Sequence, residues 1–144
     1  MSEFNDTNNM HLKFELPNSS NRDLNTLSRA DFNFRFGFLF EELSEFKDAH
    51  EKNNIVKMID ALIDLVIVAH GTASFMGVSP ELWEKCWKAV TDANFAKVRG
   101  ITKRGAVFDL VKPNGWIAPD IKIASYVSEI MMVDTENDKD VLIE

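Results

Sequence analysis

The chain has 144 residues, enough for one domain, and its 45% hydrophobic content is sufficient to bury a core. Sixteen Lys and Arg against 23 Asp and Glu leave a net charge of -7, which excludes a protein that lives by clamping a nucleic-acid backbone, so no polymeric nucleic acid is expected as a partner. A single cysteine, Cys86, excludes an internal disulfide and a cysteine-built zinc site, and a cytoplasmic setting is expected.

Residues 1–25 mix Asn, Ser and Asp around Leu12, Phe14 and Leu16 and read as a loose arm with a short docked turn. Their polar, acidic start lacks the basic-then-apolar order of a secretory signal, so the mature protein is expected to begin there. From Ser28 to about His50, Phe32, Phe36, Leu39, Phe40, Leu43 and Phe46 recur at threes and fours, which predicts an amphipathic helix capped by Ser28 or Asp31. A polar connection ending in Asn53 and Asn54 leads into a second helix, Ile55 to Phe75, so the two are expected to pack antiparallel. The second helix is apolar nearly all round from Ile55 to Ala69, as a central buried helix is, yet Lys57, Asp60 and Asp64 make it too short and too charged to cross a membrane.

Gly77, Ser79, Pro80 and Glu81 supply a helix stop and the next start, and a third helix is predicted from Glu81 to about Val98, with Leu82, Trp83, Cys86, Trp87 and Val90 on its buried stripe. Beyond Arg99, Gly100, Gly105, Pro113, Gly115 and Pro119 punctuate a basic segment that reads as irregular. A short helix is expected over Ile121 to Met132, and the acidic tail from Asp134 is expected to fray. The fold class is all-α: an antiparallel helical bundle completed by oligomerisation, with an irregular C-terminal loop segment. The expected organisation is an arm over 1–25, a helical domain over 26–132 and an acidic tail over 133–144.

The acidic residues do not fit a plain bundle. Asp60 and Asp64 are four apart, about 40° around a helix, so both project from one side of an otherwise apolar segment. On the preceding helix Glu41, Glu42 and Glu45 share one face. Packed antiparallel, the two helices can bring up to five carboxylates together, and buried like charges demand a compensating cation or hydrogen-bond donors. Oxygen donors without His or Cys point to Mg²⁺, with Mn²⁺ as a substitute. Phe38 lies three residues before Glu41 and shares the acidic face, whereas Phe36 belongs to the apolar stripe. Trp83, Trp87 and Trp116 read as packing or subunit contacts, His70 as structural or interfacial, and Cys86 as inert.

Glu41-Glu42-Leu43-Ser44-Glu45, a gap of 14 residues and Asp60-Ala61-Leu62-Ile63-Asp64 resemble the signature of the all-α nucleoside triphosphate pyrophosphohydrolases, the MazG-like and phosphoribosyl-ATP pyrophosphohydrolase-like group. The second half departs from the common E-x-x-D spelling, with Ala61 where that spelling has Glu and Asp60 one residue earlier. Thr91 to Val98, Thr102 to Gly105, Lys112 to Trp116 and Pro119-Asp120 are also similar to this group, so the likeness spans about Arg35 to Ile121.

The resemblance implies hydrolysis between the α and β phosphates of a nucleotide to a monophosphate and pyrophosphate, with bridging Mg²⁺ neutralising the phosphates. It implies Glu41, Glu45, Asp60 and Asp64 as metal ligands, and Glu42 or Glu45 as the carboxylate that orients or deprotonates water. It further implies Asn94 at the sugar or base and Lys97 at a phosphate, with Lys103, Arg104 and Lys112 in a loop that can close over the phosphates. Family members are dimers or tetramers, so a homo-oligomer is expected, as is a housekeeping role on nucleotides. Phosphoribosyl-ATP as substrate, a regulatory module that binds a nucleotide without turnover, and a purely structural helical adaptor are the competing readings.

Overall fold

The structure, a computed structural model, describes residues 2–141, with side chains as far as residue 132. It is helical, with one two-stranded hairpin among the described residues, and it divides into two compact units, Met1–Pro80 and Glu81–Glu144. No helix among the described residues is long and apolar enough to cross a membrane.

The first unit begins with α1, Glu3–Lys13. Ser2 caps it, its hydroxyl accepting from the Asn5 amide, and Glu3 and Asp6 in the first turn suit the positive end of the helix dipole. This helix corrects the expectation of a loose arm over 1–25. Phe4, Thr7, Asn8 and His11 form a buried stripe, with Phe4 only 1% exposed, and α1 packs on α3, Ile55–Phe75. The boundary expected at residue 25 accordingly coincides with no structural break. Apolar periodicity misses this helix because three of its four buried residues are polar, while Met10 and Leu12 face outward. The turn that follows is held by side chains: Asn18 donates to the Leu16 carbonyl and accepts from the Ser20 amide, and Arg22 donates to Asp31 and to the Phe75 carbonyl.

The second helix, α2, covers Arg29–Glu51, with the Ser28 hydroxyl accepting from the Asp31 amide at its start. Asn54 caps α3 in the same way by accepting from the Lys57 amide. Helix α3 closes in a Schellman motif: the Val78 amide donates to the Ala73 carbonyl and the Gly77 amide to the Ser74 carbonyl, with Gly77 at φ +75°. No other residue fits at 77, because a Cβ there would stand 2.5 Å from the Asp23 carbonyl oxygen.

Helices α2 and α3 are antiparallel. Arg35 meets Val68 and Thr72, Glu42 faces Asp64, and Glu45 shares a cavity with Asp60, so partners descend α3 as they climb α2. The seam between them reverses the hydrophobic pattern. Its buried α2 positions are Arg35, Glu42 and Ala49, whereas the predicted apolar stripe lies outside, with Phe36 59% and Phe40 63% exposed. Helix α3 likewise buries Ala61 and Val68 and leaves Ile55, Ile59 and Ile63 exposed, so within this chain its first half is not the buried central helix that its composition predicts. Small Ala49 and Ala61 allow the close approach, and one helix cannot turn both its acidic and its phenylalanine faces to a single neighbour.

The second unit opens with α4, Pro80–Phe95, in which Leu82 and Ala89 are buried and Trp83 stacks on Trp87. The helix stops short of the predicted Val98 because Val98–Gly100 forms β1, paired antiparallel with β2, Asp109–Val111, so part of the segment read as irregular is a hairpin. The last helix, α5, runs Asp120–Val141, past the predicted end at Met132 and through most of the tail expected to fray. The remaining three residues of that tail lie outside the described ones.

Candidate metal and nucleotide site

Residues 35, 38, 42, 45 and 49 of α2 fall at alternating threes and fours, so they form one line along the helix, and that line faces α3. Glu42 is its centre. The side chain is only 7% exposed, and its Oε2 has no hydrogen-bond partner. Burial first, then the charges of Glu45, Asp64 and Glu41 and a hydrogen bond with Glu45, push its carboxyl above the ordinary range. A buried carboxylate oxygen without a donor is costly unless a proton or a cation compensates it.

Two cavities open along the seam. One of about 270 Å³ holds Glu42, Asp64, Phe38 and Arg35 on the bundle side and Thr7, His11 and Phe14 on the N-terminal side. The other, of about 250 Å³, holds Glu45, Asp48, Lys52, Lys57 and Asp60. Glu42 and Asp64 thus line the first cavity and Glu45 and Asp60 the second, with Glu42 and Glu45 linking the two, while Glu41 is exposed and reaches Glu42 through its charge. Among the described residues no three His, Cys, Asp or Glu side chains converge closely enough to hold a metal ion as they stand. The five carboxylates nevertheless fit a hard cation in donor chemistry, and the unpartnered Glu42 Oε2 is a place where a proton or such a cation would relieve the buried charge.

Phe38 is half-buried and lines the cavity with Glu42 and Asp64, whereas Phe36 lies on the outer face. Helix periodicity puts the two on different faces of α2. It does not reveal the N-terminal wall or Arg35. Arg35 is 5% exposed, donates from Nε to the Thr72 hydroxyl at 3.2 Å and from Nη2 to the Val68 carbonyl at 3.0 Å, and is ringed by Phe34, Phe38 and Phe75. A lone cation within the run Phe34 to Phe38, one heptad before Glu42, is the signal that would have found it. Gly71 admits it: a Cβ there would lie 2.7 Å from Arg35 Nη2 and 2.8 Å from His11 Nε2.

The other expected site residues belong to the second unit. Asn94 is exposed on the last turn of α4. Lys97 and Lys112 place their ammonium groups 5.3 and 4.9 Å from the centre of the Trp116 ring, and the Trp116 indole donates to the Ala93 carbonyl at 2.7 Å. Arg104 donates twice to Asp109, holding that carboxyl far below its ordinary range with help from the Thr102 hydroxyl and the Leu110 amide, and Lys103 is exposed. Arg104 is thus committed to a carboxylate, while the two lysines rest on an aromatic face.

The sequence profile of the phosphoribosyl-ATP pyrophosphohydrolase family matches residues 8–94, more than half of the chain and nearly the whole first unit. The chain belongs to that family and is a pyrophosphohydrolase, a hydrolase acting on phosphoric anhydrides. A comparison with curated proteins finds no match.

Proposed function

We propose that the chain is a Mg²⁺-dependent nucleoside triphosphate pyrophosphohydrolase that cleaves between the α and β phosphates, releasing a monophosphate and pyrophosphate in nucleotide-pool housekeeping. The observation that carries this reading is Glu42, a buried carboxyl with an unpartnered oxygen, raised by its acidic neighbours and set in a cavity beside an aromatic ring. Glu41, Glu45, Asp60 and Asp64 would hold the metal. Bound there, Mg²⁺, or Mn²⁺ in its place, supplies positive charge for the triphosphate oxygens and the leaving pyrophosphate.

Of the two candidates for the water, Glu42 is the better base, because it is buried and Glu45 is exposed. Its carboxylate accepts a proton from water as the water oxygen forms a new bond to phosphorus and the bridging P–O bond breaks. Phe38 offers its ring to the base. Asn94 and the cations Lys97, Lys103, Arg104 and Lys112 serve the sugar and phosphates in this reading, Lys97 and Lys112 by leaving the Trp116 face and Arg104 only by releasing Asp109. A cytoplasmic homo-oligomer, dimer or tetramer, accounts for the lone cysteine and the exposed apolar faces of α2 and α3.

Phosphoribosyl-ATP is the second substrate reading, favoured by the family's description. The test is pyrophosphate release from ribo- and deoxynucleoside triphosphates and phosphoribosyl-ATP with Mg²⁺ or Mn²⁺, beside Glu42→Gln and Asp64→Asn. Metal-dependent release from simple triphosphates, lowered by about 10²-fold or more in both variants, is expected. Release from phosphoribosyl-ATP alone moves the substrate to the second reading, and metal-dependent thermal stabilisation without release indicates a module that binds and does not turn over.

A further inference from the structure

The geometry points to Arg35 as a specificity-determining residue that reads the oxo edge of a nucleobase at the far end of the Glu42 cavity. This rests on the reading of that cavity as a nucleotide site. Arg35 and Glu42 are seven residues apart on one face of α2, two turns or about 10 Å along the axis, so the cavity has a cationic end and an anionic end. Metal-held phosphates belong at the carboxylates, which leaves the base directed toward Arg35, with Phe38 between the two ends on the same line.

Arg35 is equipped to meet a ligand. Of the five N–H groups of a guanidinium, Nε has the Thr72 hydroxyl and Nη2 the Val68 carbonyl, and Nη1 has no hydrogen bond to protein among the described residues. It makes no ion pair with any described carboxylate, although only 5% of it is exposed. Phe34, Phe38 and Phe75 stack around it and Gly71 makes room for it, so a charge that water would otherwise stabilise is locked beside the cavity. Arginine donates and never accepts, so it favours a ring carbonyl and disfavours an amino group in the same place.

The experiment compares two pairs of triphosphates that differ at one exocyclic position, ITP with ATP and UTP with CTP, for the wild-type chain, Arg35→Gln and Arg35→Lys. Two readouts are taken: kcat/KM for pyrophosphate release, and Kd for analogues whose α–β bridging oxygen is replaced by a methylene. The wild-type chain is expected to favour the oxo member of at least one pair by about tenfold or more, and Arg35→Gln to bring that ratio close to one. A wild-type ratio near one in both pairs overturns the inference, as does an equal loss on both members in Arg35→Gln or a preference for phosphoribosyl-ATP over ITP. If Arg35→Gln does not fold, Arg35→Lys, which keeps the charge and loses the planar fork, must lower the ratio for the inference to stand. Absence of hydrolysis with the Kd ratio intact refutes nucleoside triphosphates as the substrates and leaves the assignment of Arg35 standing.

Discussion

At the seam, Glu42 is built for chemistry at the expense of stability. Its ionised form is disfavoured by burial and by three neighbouring carboxylates, so at neutral pH without metal it strains the fold. Glu42→Gln keeps the shape and removes the charge. It is expected to raise the melting temperature of the metal-free protein at neutral pH while abolishing pyrophosphate release, which calorimetry in EDTA and a coupled assay will check. The two buried histidines give the pH dependence. Burial is the largest cause lowering the pKa of both His11 and His70 below the ordinary value of 6.5. The unfolded chain therefore binds protons at these sites before the folded one does, and stability is lost as pH falls from about 6.5 through the lowered folded values. His11→Gln is expected to flatten that slope, read from urea midpoints between neutral pH and pH 5. The sequence marks the glutamates as a group, because three at this spacing share a face whatever packs on it, and it does not single out Glu42. It does not mark His11, whose importance depends on Gly71 and Arg35, residues 60 and 24 positions away.

Among the elements, α2 and α3 are legible in advance because their caps are local. Ser28, Asn54 and Gly77 each satisfy backbone groups within a few residues, so the sequence alone places both helices to within a residue or so. Helix α1 is not legible in this way. Its buried face is Phe4 with Thr7, Asn8 and His11, and polar residues at helical spacing give no sign of burial until their partners are known. Phe4 anchors it, and Phe4→Ala is expected to cost about 3–5 kcal/mol in chemical denaturation, as for other large residues removed from a core. The hairpin escapes notice for a different reason: strands of three residues are too short to show alternation. At the end of α3, Gly77→Ala is expected to destabilise by more than about 1 kcal/mol, because its φ is positive and the Asp23 carbonyl occupies the space.

For the whole molecule, periodicity tells which residues share a face of α2 and leaves open which face turns inward. Phe32, Phe36, Phe40 and Leu43 form the stronger apolar pattern, yet they are the exposed one, because the short connection to α3 brings the acidic line to the seam. Exposed apolar residues on both α2 and α3 exceed the scattered surface hydrophobics usual on a monomer. Sedimentation of the full chain is expected to show a dimer or larger species, and Phe36→Glu with Ile59→Glu to shift it toward monomer. A purely monomeric wild-type chain at micromolar concentration would rule out self-association as the cause of that exposure.

Gly71 constrains how this protein can change. A glycine inside a helix costs about 0.5–1 kcal/mol relative to alanine, and the ordinary route to a sturdier α3 is to replace it. In this helix the added methyl would fall on Arg35 and His11 at once, so the local gain in helix propensity is opposed by a collision at the wall of the cavity. A screen that rewards heat resistance alone has no easy passage through this position, and variants that do take alanine there should carry a second change at Arg35 or His11. The helix keeps a soft point near its C-terminal end because the pocket beside it needs the room.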